Sequence, residues 1–101
     1  MILDQTADPV SSSSTQRFTE KQGQYLAFIH AYTLLNRQPP AEADFQRFFE
    51  ATPPAVHQMI LGLEQRGLIS RVPRQARTIK LRLQPEELPP LQPIKTSAAK
   101  Y

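Results

Sequence analysis

The sequence predicts a mainly α domain of three helices closed by a small β-hairpin. Two observations carry that expectation. Three stretches between residues 19 and 67 each combine a helix start signal, apolar residues at helical spacing and a stop signal. After Gly67 the period changes, and residues 78–83 alternate apolar and polar side chains strictly. A chain of 101 residues leaves room for one small domain with tails.

The tails come first by composition. Residues 1–17 hold two acids, one proline and a run of four serines, which cannot bury enough apolar area to offset ordering entropy. A disordered arm is expected there. Residues 84–101 contain Pro85, Pro89, Pro90 and Pro93 and predict an extended, irregular tail. The domain is therefore expected at 18–83.

The first helix begins after Thr19, because Thr19-Glu20-Lys21-Gln22 is a capping box. Tyr25, Leu26, Phe28, Ile29, Tyr32 and Leu35 give its apolar stripe, and Pro39-Pro40 stops it near Asn36. The second starts at about Ala41 and ends near Glu50 or Ala51. Glu42 and Asp44 lie in its first turn, where the macrodipole favours acids, and Phe45, Phe48 and Phe49 form its buried face.

The third helix has the clearest start, with Thr52 as N-cap and Pro53 at the first helical position, and it runs to the stop at Gly67. Val56, Ile60 and Leu63 share its core face, with Met59 at the edge. Gly62 costs about 1 kcal/mol relative to alanine in a helix interior and so points to close packing. A first strand is expected at 68–72 and a second at 78–83, with Ile79, Leu81 and Leu83 inward, Lys80 and Arg82 outward, and a loop at 73–77. Parity leaves the buried face of the first strand open. Helix, helix, helix, hairpin in about 65 residues is a winged helix-turn-helix layout.

Composition excludes several function classes. There is no cysteine, so disulfides, thiol nucleophiles and Cys-ligated metal sites are absent. His30 and His57 alone cannot hold a metal, and no cofactor is expected. No stretch approaches the length of a membrane span, and the N-terminus has no basic region before an apolar run, so a cytoplasmic protein is expected. The acids of the second helix are explained by helix polarity rather than by acid–base catalysis.

The charge is uneven. The chain is +3 overall, but Arg66, Arg71, Arg74, Arg77, Lys80 and Arg82 are half of its twelve lysines and arginines. No acid lies between Glu64 and Glu86, whereas the second helix carries Glu42, Asp44 and Glu50 against Arg47 alone. A basic wing beside an uncharged, capped helix is the footprint expected for duplex DNA. The bland alternative is a solvated hairpin whose charges discourage edge-to-edge pairing.

These residues resemble the N-terminal DNA-binding domain of LexA-type repressors. Phe18-Thr19-Glu20-Lys21-Gln22 with Leu26 and Ile29 is similar to the family's opening and first-helix core. Pro39-Pro40, Ala43 and Phe45 are similar to its entry into the second helix. Thr52-Pro53, Leu63, Gly67, Leu68, Ile69, Val72-Pro73, Arg77, Ile79 and Leu81 are similar to its recognition helix and wing. The spacing holds from Thr19 to Leu83 with one residue fewer before Thr52. The resemblance implies a sequence-specific transcriptional regulator, repressor-like, with helix 52–66 in the major groove and wing 71–82 on the backbone.

The departures define further expectations. The family's self-cleaving peptidase domain, with its Ser–Lys dyad, has no counterpart in these residues, so self-cleavage is not expected. That second domain also supplies the family's dimerisation. Where the family's recognition helix carries an Asn and two Glu, this chain has Pro54, His57 and Gln58, so a different operator is implied. Where the family's wing has a glycine after the proline, this chain has Arg74.

The expected DNA contacts follow from side-chain chemistry. Gln58 can pair with adenine, His57 can donate to a guanine acceptor, and Pro54 and Ala55 can meet a thymine methyl. The Thr52 hydroxyl and the first free amides of the third helix suit a phosphate. Arg71, Arg74 and Arg77 are expected on backbone phosphates or in a minor groove, and Lys80 on a backbone phosphate. The partner is double-stranded DNA, with no membrane. The Pro-rich tail suits a protein partner or a weak homodimer, or lies back on the first helix. The alternative class is a winged-helix protein-interaction adaptor without DNA binding. Single-stranded or structured RNA would need exposed aromatics, which helical spacing assigns to the core.

Overall fold

The computed structural model describes residues 17–92. The arm expected at 1–17 lies, apart from Arg17, outside the described residues, as does the tail from 93 onward. The element order is helix α1 (Glu20–Asn36), helix α2 (Glu42–Phe49), helix α3 (Pro53–Gln65), strand β1 (Ile69–Ser70), strand β2 (Lys80–Leu81) and a 3₁₀ turn (Pro85–Glu87). This is the winged helix-turn-helix arrangement that the sequence predicts.

Each helix end has a local cause. At the start of α1 the Gln22 amide donates to Thr19 Oγ1 (3.1 Å) and the Thr19 amide to Gln22 Oε1 (2.9 Å). Both α1 and α2 stop on a left-handed residue, Arg37 (φ 60°) and Glu50 (φ 54°). At the end of α3, Gly67 takes φ 75°, the Gly67 amide donates to the Glu64 carbonyl and the Leu68 amide to the Leu63 carbonyl. That pair of bonds is a Schellman motif, and its apolar contact joins Leu63 to Leu68, both buried.

The core lies where α1, α2 and α3 meet the hairpin. Tyr25, Leu26, Ile29, Phe45, Val56, Ile60, Leu63 and Ile69 are sealed from solvent. An aromatic cluster joins α1 to α2: Tyr25 stacks on Phe45 (centroids 5.3 Å apart) and Phe49 (4.2 Å), and Phe28 meets Phe45, Phe48 and Phe49. Offset stacking of this kind adds about 0.5–1.5 kcal/mol per pair beyond the area buried.

Three expectations are corrected. Leu35 is 82 % exposed rather than core, and its neighbour Leu34 is 67 % exposed, because the last turn of α1 overhangs the domain. A Cβ built on Gly62 meets nothing within 4 Å, so no close packing explains that glycine. The hairpin is far shorter than the two strands expected. Ile69 pairs with Leu81 and Ser70 with Lys80, and the Arg82 amide adds a bond to the Leu68 carbonyl. The turn already starts at Val72, whose carbonyl accepts from the Gln75 amide, and the Val72 amide donates to the Thr78 hydroxyl rather than to a backbone carbonyl, so the ladder does not extend past Ser70 and Lys80. Leu68 and Ile69 are both buried, so neither parity describes the first strand, and Leu81 is half-buried.

Beyond β2 the chain returns to α1. Leu88 and Leu91 pack against the core. The Gln24 amide clamps the chain on both sides: its Nε2 donates to the Pro90 carbonyl (2.9 Å) and its Oε1 accepts from the Gln92 amide (2.8 Å). Arg17 pairs with Glu87 in the same region.

Candidate nucleic-acid interface

Burial of Val56, Ile60 and Leu63 fixes the rotation of α3. These positions recur at helical spacing on the core side, so Pro54, Ala55, His57 and Gln58 stand on the outer side and are exposed. Three residues, Glu50, Ala51 and Thr52, join α2 to α3, and the two helices pack directly on each other.

The start of α3 is not an open anion cradle. Pro53 and Pro54 have no N–H, the Ala55 amide donates to Thr52 Oγ1 (3.3 Å), and the Val56 amide donates to the Thr52 carbonyl (3.0 Å). The free amides expected here for a phosphate are therefore absent. The Thr52 hydroxyl hydrogen and the helix dipole remain available.

The wing turns sharply at residues 72–75, where the Gln75 amide donates to the Val72 carbonyl (3.1 Å). Proline at the second position and positive φ at the third, Arg74, give the type II pattern. The Thr78 hydroxyl closes the loop, accepting from the Val72 amide (2.9 Å) and lying 3.1 Å from the Gln75 carbonyl. Side-chain bonds thus hold the wing where strand pairing ends.

The wing cations do not act alike. Arg71 is only 15 % exposed at its side chain and its Nε donates to Glu64 Oε1 (3.1 Å). Arg77 Nη1 donates to the Tyr32 hydroxyl (3.1 Å) and the Pro39 carbonyl (3.2 Å), and stands 3.2 Å from Asp44 Oδ2. Its guanidinium ties the wing to α1 and α2, an engagement that charge counting does not show. Arg74, Lys80 and Arg82 are exposed, and among the described residues no hydrogen bond or ion pair engages their side chains. They do not share one site either. Arg74 and Arg71 border a hollow against Pro40, Ala41 and Glu42, whereas Lys80 borders another with His30, Thr33 and Arg37.

Asp44 and Glu42 do more than the helix polarity assigned to them from sequence. Asp44, 7 % exposed, accepts from the Ala41 amide through Oδ2 (2.8 Å) and from Arg47 through Oδ1 (2.6 Å). Burial opposes its ionisation. The Ala41 amide, the Arg77 charge, the Tyr32 hydroxyl and the Arg47 charge together outweigh that, and the carboxyl is held below its ordinary range. The spacing Ala41 to Asp44 is the acid half of a capping box, a signal legible without coordinates. Glu42 Oε2 lies 3.2 Å from His57 Nδ1, a contact between α2 and α3 that no short-range pattern announces.

Among the described residues no helix is long and apolar enough to cross a membrane, and no three His, Asp or Glu converge as a metal site would require.

Comparison with known proteins agrees with the geometry. No family model matches the chain. The chain is 36 % identical over 66 residues to a LexA repressor of Thermosipho melanesiensis, covering 65 % of this chain and 33 % of that protein. It is 35 % identical over 71 residues to a LexA repressor of Thermosipho africanus, covering 70 % of this chain and 36 % of that protein. The chain thus spans about a third of the length of the curated relatives it matches.

Proposed function

We propose, from the premise that this winged helix fits the N-terminal DNA-binding domain of a LexA repressor, that the chain binds double-stranded DNA in a sequence-dependent way and regulates transcription as a repressor. The third helix, residues 52–66, enters the major groove. Pro54, Ala55, His57 and Gln58 face base edges, and the wing, residues 71–82, lies along the backbone.

The observation that carries this reading is the exposed outer side of α3 beside an acid-free wing. Four side chains capable of base contact stand in solvent on a helix whose opposite side is locked into the core. Gln58 offers the donor and acceptor pair that matches adenine N6 and N7. Arg74 and the Thr52 hydroxyl are the exposed phosphate contacts on this side of the domain. Arg71 contributes charge from a fixed position beside Glu64. Lys80 reaches phosphate only where the duplex extends toward the end of α1.

The test is selection of bound sequences from a random duplex library. A recovered motif supports the reading, and a palindromic motif adds a two-fold dimer. Recovery of no sequence above background at low salt removes it.

A second reading is a winged-helix protein-interaction adaptor. Leu34 and Leu35, 67 % and 82 % exposed at the end of α1, favour it. In that case substitutions at Leu34 and Leu35, and not at Gln58, abolish function.

A further inference from the structure

We infer that Glu42 is a specificity-determining residue, which fixes the tautomer of His57 so that His57 Nε2 presents a lone pair, not a hydrogen, to the DNA base in front of it. This deepens the function proposed above and rests on it.

The argument begins with donor and acceptor bookkeeping. Glu42 Oε2 lies 3.2 Å from His57 Nδ1. An ionised carboxylate only accepts, so the hydrogen between the two sits on Nδ1. A neutral imidazole carries one ring hydrogen, and its other nitrogen is then an acceptor. Nε2 is the nitrogen at the far end of the ring from Glu42, on an exposed residue of the outer side of α3.

The partner across the helix pair is well placed to impose this state. Glu42 is the first residue of α2, and α2 packs directly on α3, so the carboxylate reaches His57 across a rigid joint rather than from a loop. Arg71 and Arg74 border the same hollow as Glu42.

The consequence is a definite base preference. In the major groove, adenine N6 and cytosine N4 are amino donors, whereas guanine shows only the acceptors N7 and O6. A lone pair on Nε2 attracts the first two and repels guanine. The residue type alone suggested a guanine contact for His57; the Glu42 contact reverses it.

Two measurements test this, both at about pH 8, above the ordinary histidine range. Long-range proton–nitrogen correlation spectra of the free protein report the tautomer directly. The expected result is an Nδ1–H imidazole for His57 in the native chain, and loss of that dominance in Glu42→Ala. Selection from random duplexes reports the base. The native chain is expected to require adenine or cytosine at one position. Glu42→Ala and His57→Ala are both expected to relax that same position, each losing on the order of five- to tenfold discrimination there.

An Nε2–H tautomer in the native chain overturns the inference, as does a native preference for guanine. Relaxation of two different positions by the two variants also overturns it, because Glu42 then reads a cytosine amino group by itself. Failure of the native chain to bind any duplex removes the proposed function and the base preference with it, while a wrong tautomer removes only the role of Glu42.

Discussion

Arg77 of the wing reaches across the domain to Asp44 in the first turn of α2, its Nη1 3.2 Å from Asp44 Oδ2. The same guanidinium nitrogen donates to Tyr32 and to the Pro39 carbonyl, and the Arg77 Cζ lies 5.9 Å from the centre of the Tyr32 ring. One side chain therefore holds the wing against two helices, and Asp44 gathers the α2 start, Arg47 and Arg77 around one carboxylate.

The first prediction concerns acid stability. Because the folded carboxyl of Asp44 titrates below its unfolded value, folding favours its ionised form. That contribution is complete above the ordinary carboxylate value of about pH 4. It is lost as the pH falls through the lower folded value. Asp44→Asn is expected to cost about 1–3 kcal/mol at neutral pH, with the gap to the native chain closing under acid. Urea unfolding of both proteins at neutral and acidic pH checks this. A gap independent of pH contradicts it.

A second prediction separates two neighbouring arginines. Arg77→Met removes the tie between wing and helices and is expected to lower the thermal midpoint. Arg74→Asn keeps a residue tolerant of positive φ at the wing turn while removing an exposed charge. It is expected to leave the midpoint nearly unchanged and weaken duplex binding several-fold. Calorimetry and a binding titration on both variants decide it; a reversed pattern would mean that Arg77 is the contact and Arg74 the support.

Two glycines should answer the same substitution oppositely. A Cβ on Gly62 meets open space, so Gly62→Ala is expected to stabilise by up to about 1 kcal/mol through helix propensity. A Cβ on Gly23 lies 3.0 Å from Phe18 Cε1 and 3.0 Å from Pro89 Cγ. Gly23→Ala is therefore expected to displace the returning chain at Pro89–Pro90, loosen the Gln24 clamp and yield no gain in stability. Denaturant midpoints and the amide signal of Gln92 report both effects.

Much of this was legible in the sequence for local reasons. Thr19 with Gln22, Thr52 with Pro53, and Gly67 are caps whose chemistry lies within four residues, and they locate the ends of α1 and α3. The core stripe of α3 followed from helical periodicity. The wing was not legible in the same way. Alternation at residues 78–83 implies a longer strand, but the Val72 amide is taken by the Thr78 hydroxyl instead of a backbone carbonyl, and pairing stops at Ser70 and Lys80. Charge counting placed Arg71 and Arg77 among the DNA contacts. Glu64 lies seven residues from Arg71, and Tyr32 and Asp44 lie more than thirty from Arg77, so only the fold reveals their engagement. The contact between Glu42 and His57 was hidden for the same reason. The arm at 1–17 and the tail beyond 92 lie outside the described residues.

Gln58 carries the sharpest expectation about base reading. Gln58→Ala is expected to cost about 1–3 kcal/mol on the preferred site and to relax one base position. The same loss on every sequence would make Gln58 a backbone contact instead. Competition between the preferred duplex and single-base variants distinguishes the two.

The most direct measurement of all is affinity for a duplex across a salt series. With two or three phosphates neutralised by the exposed wing cations, log K is expected to fall against log salt with a slope of roughly −2 to −3. Arg74→Asn should make that slope shallower by about one. No detectable binding at low salt, or binding that ignores salt, contradicts the proposal that this winged helix works on DNA.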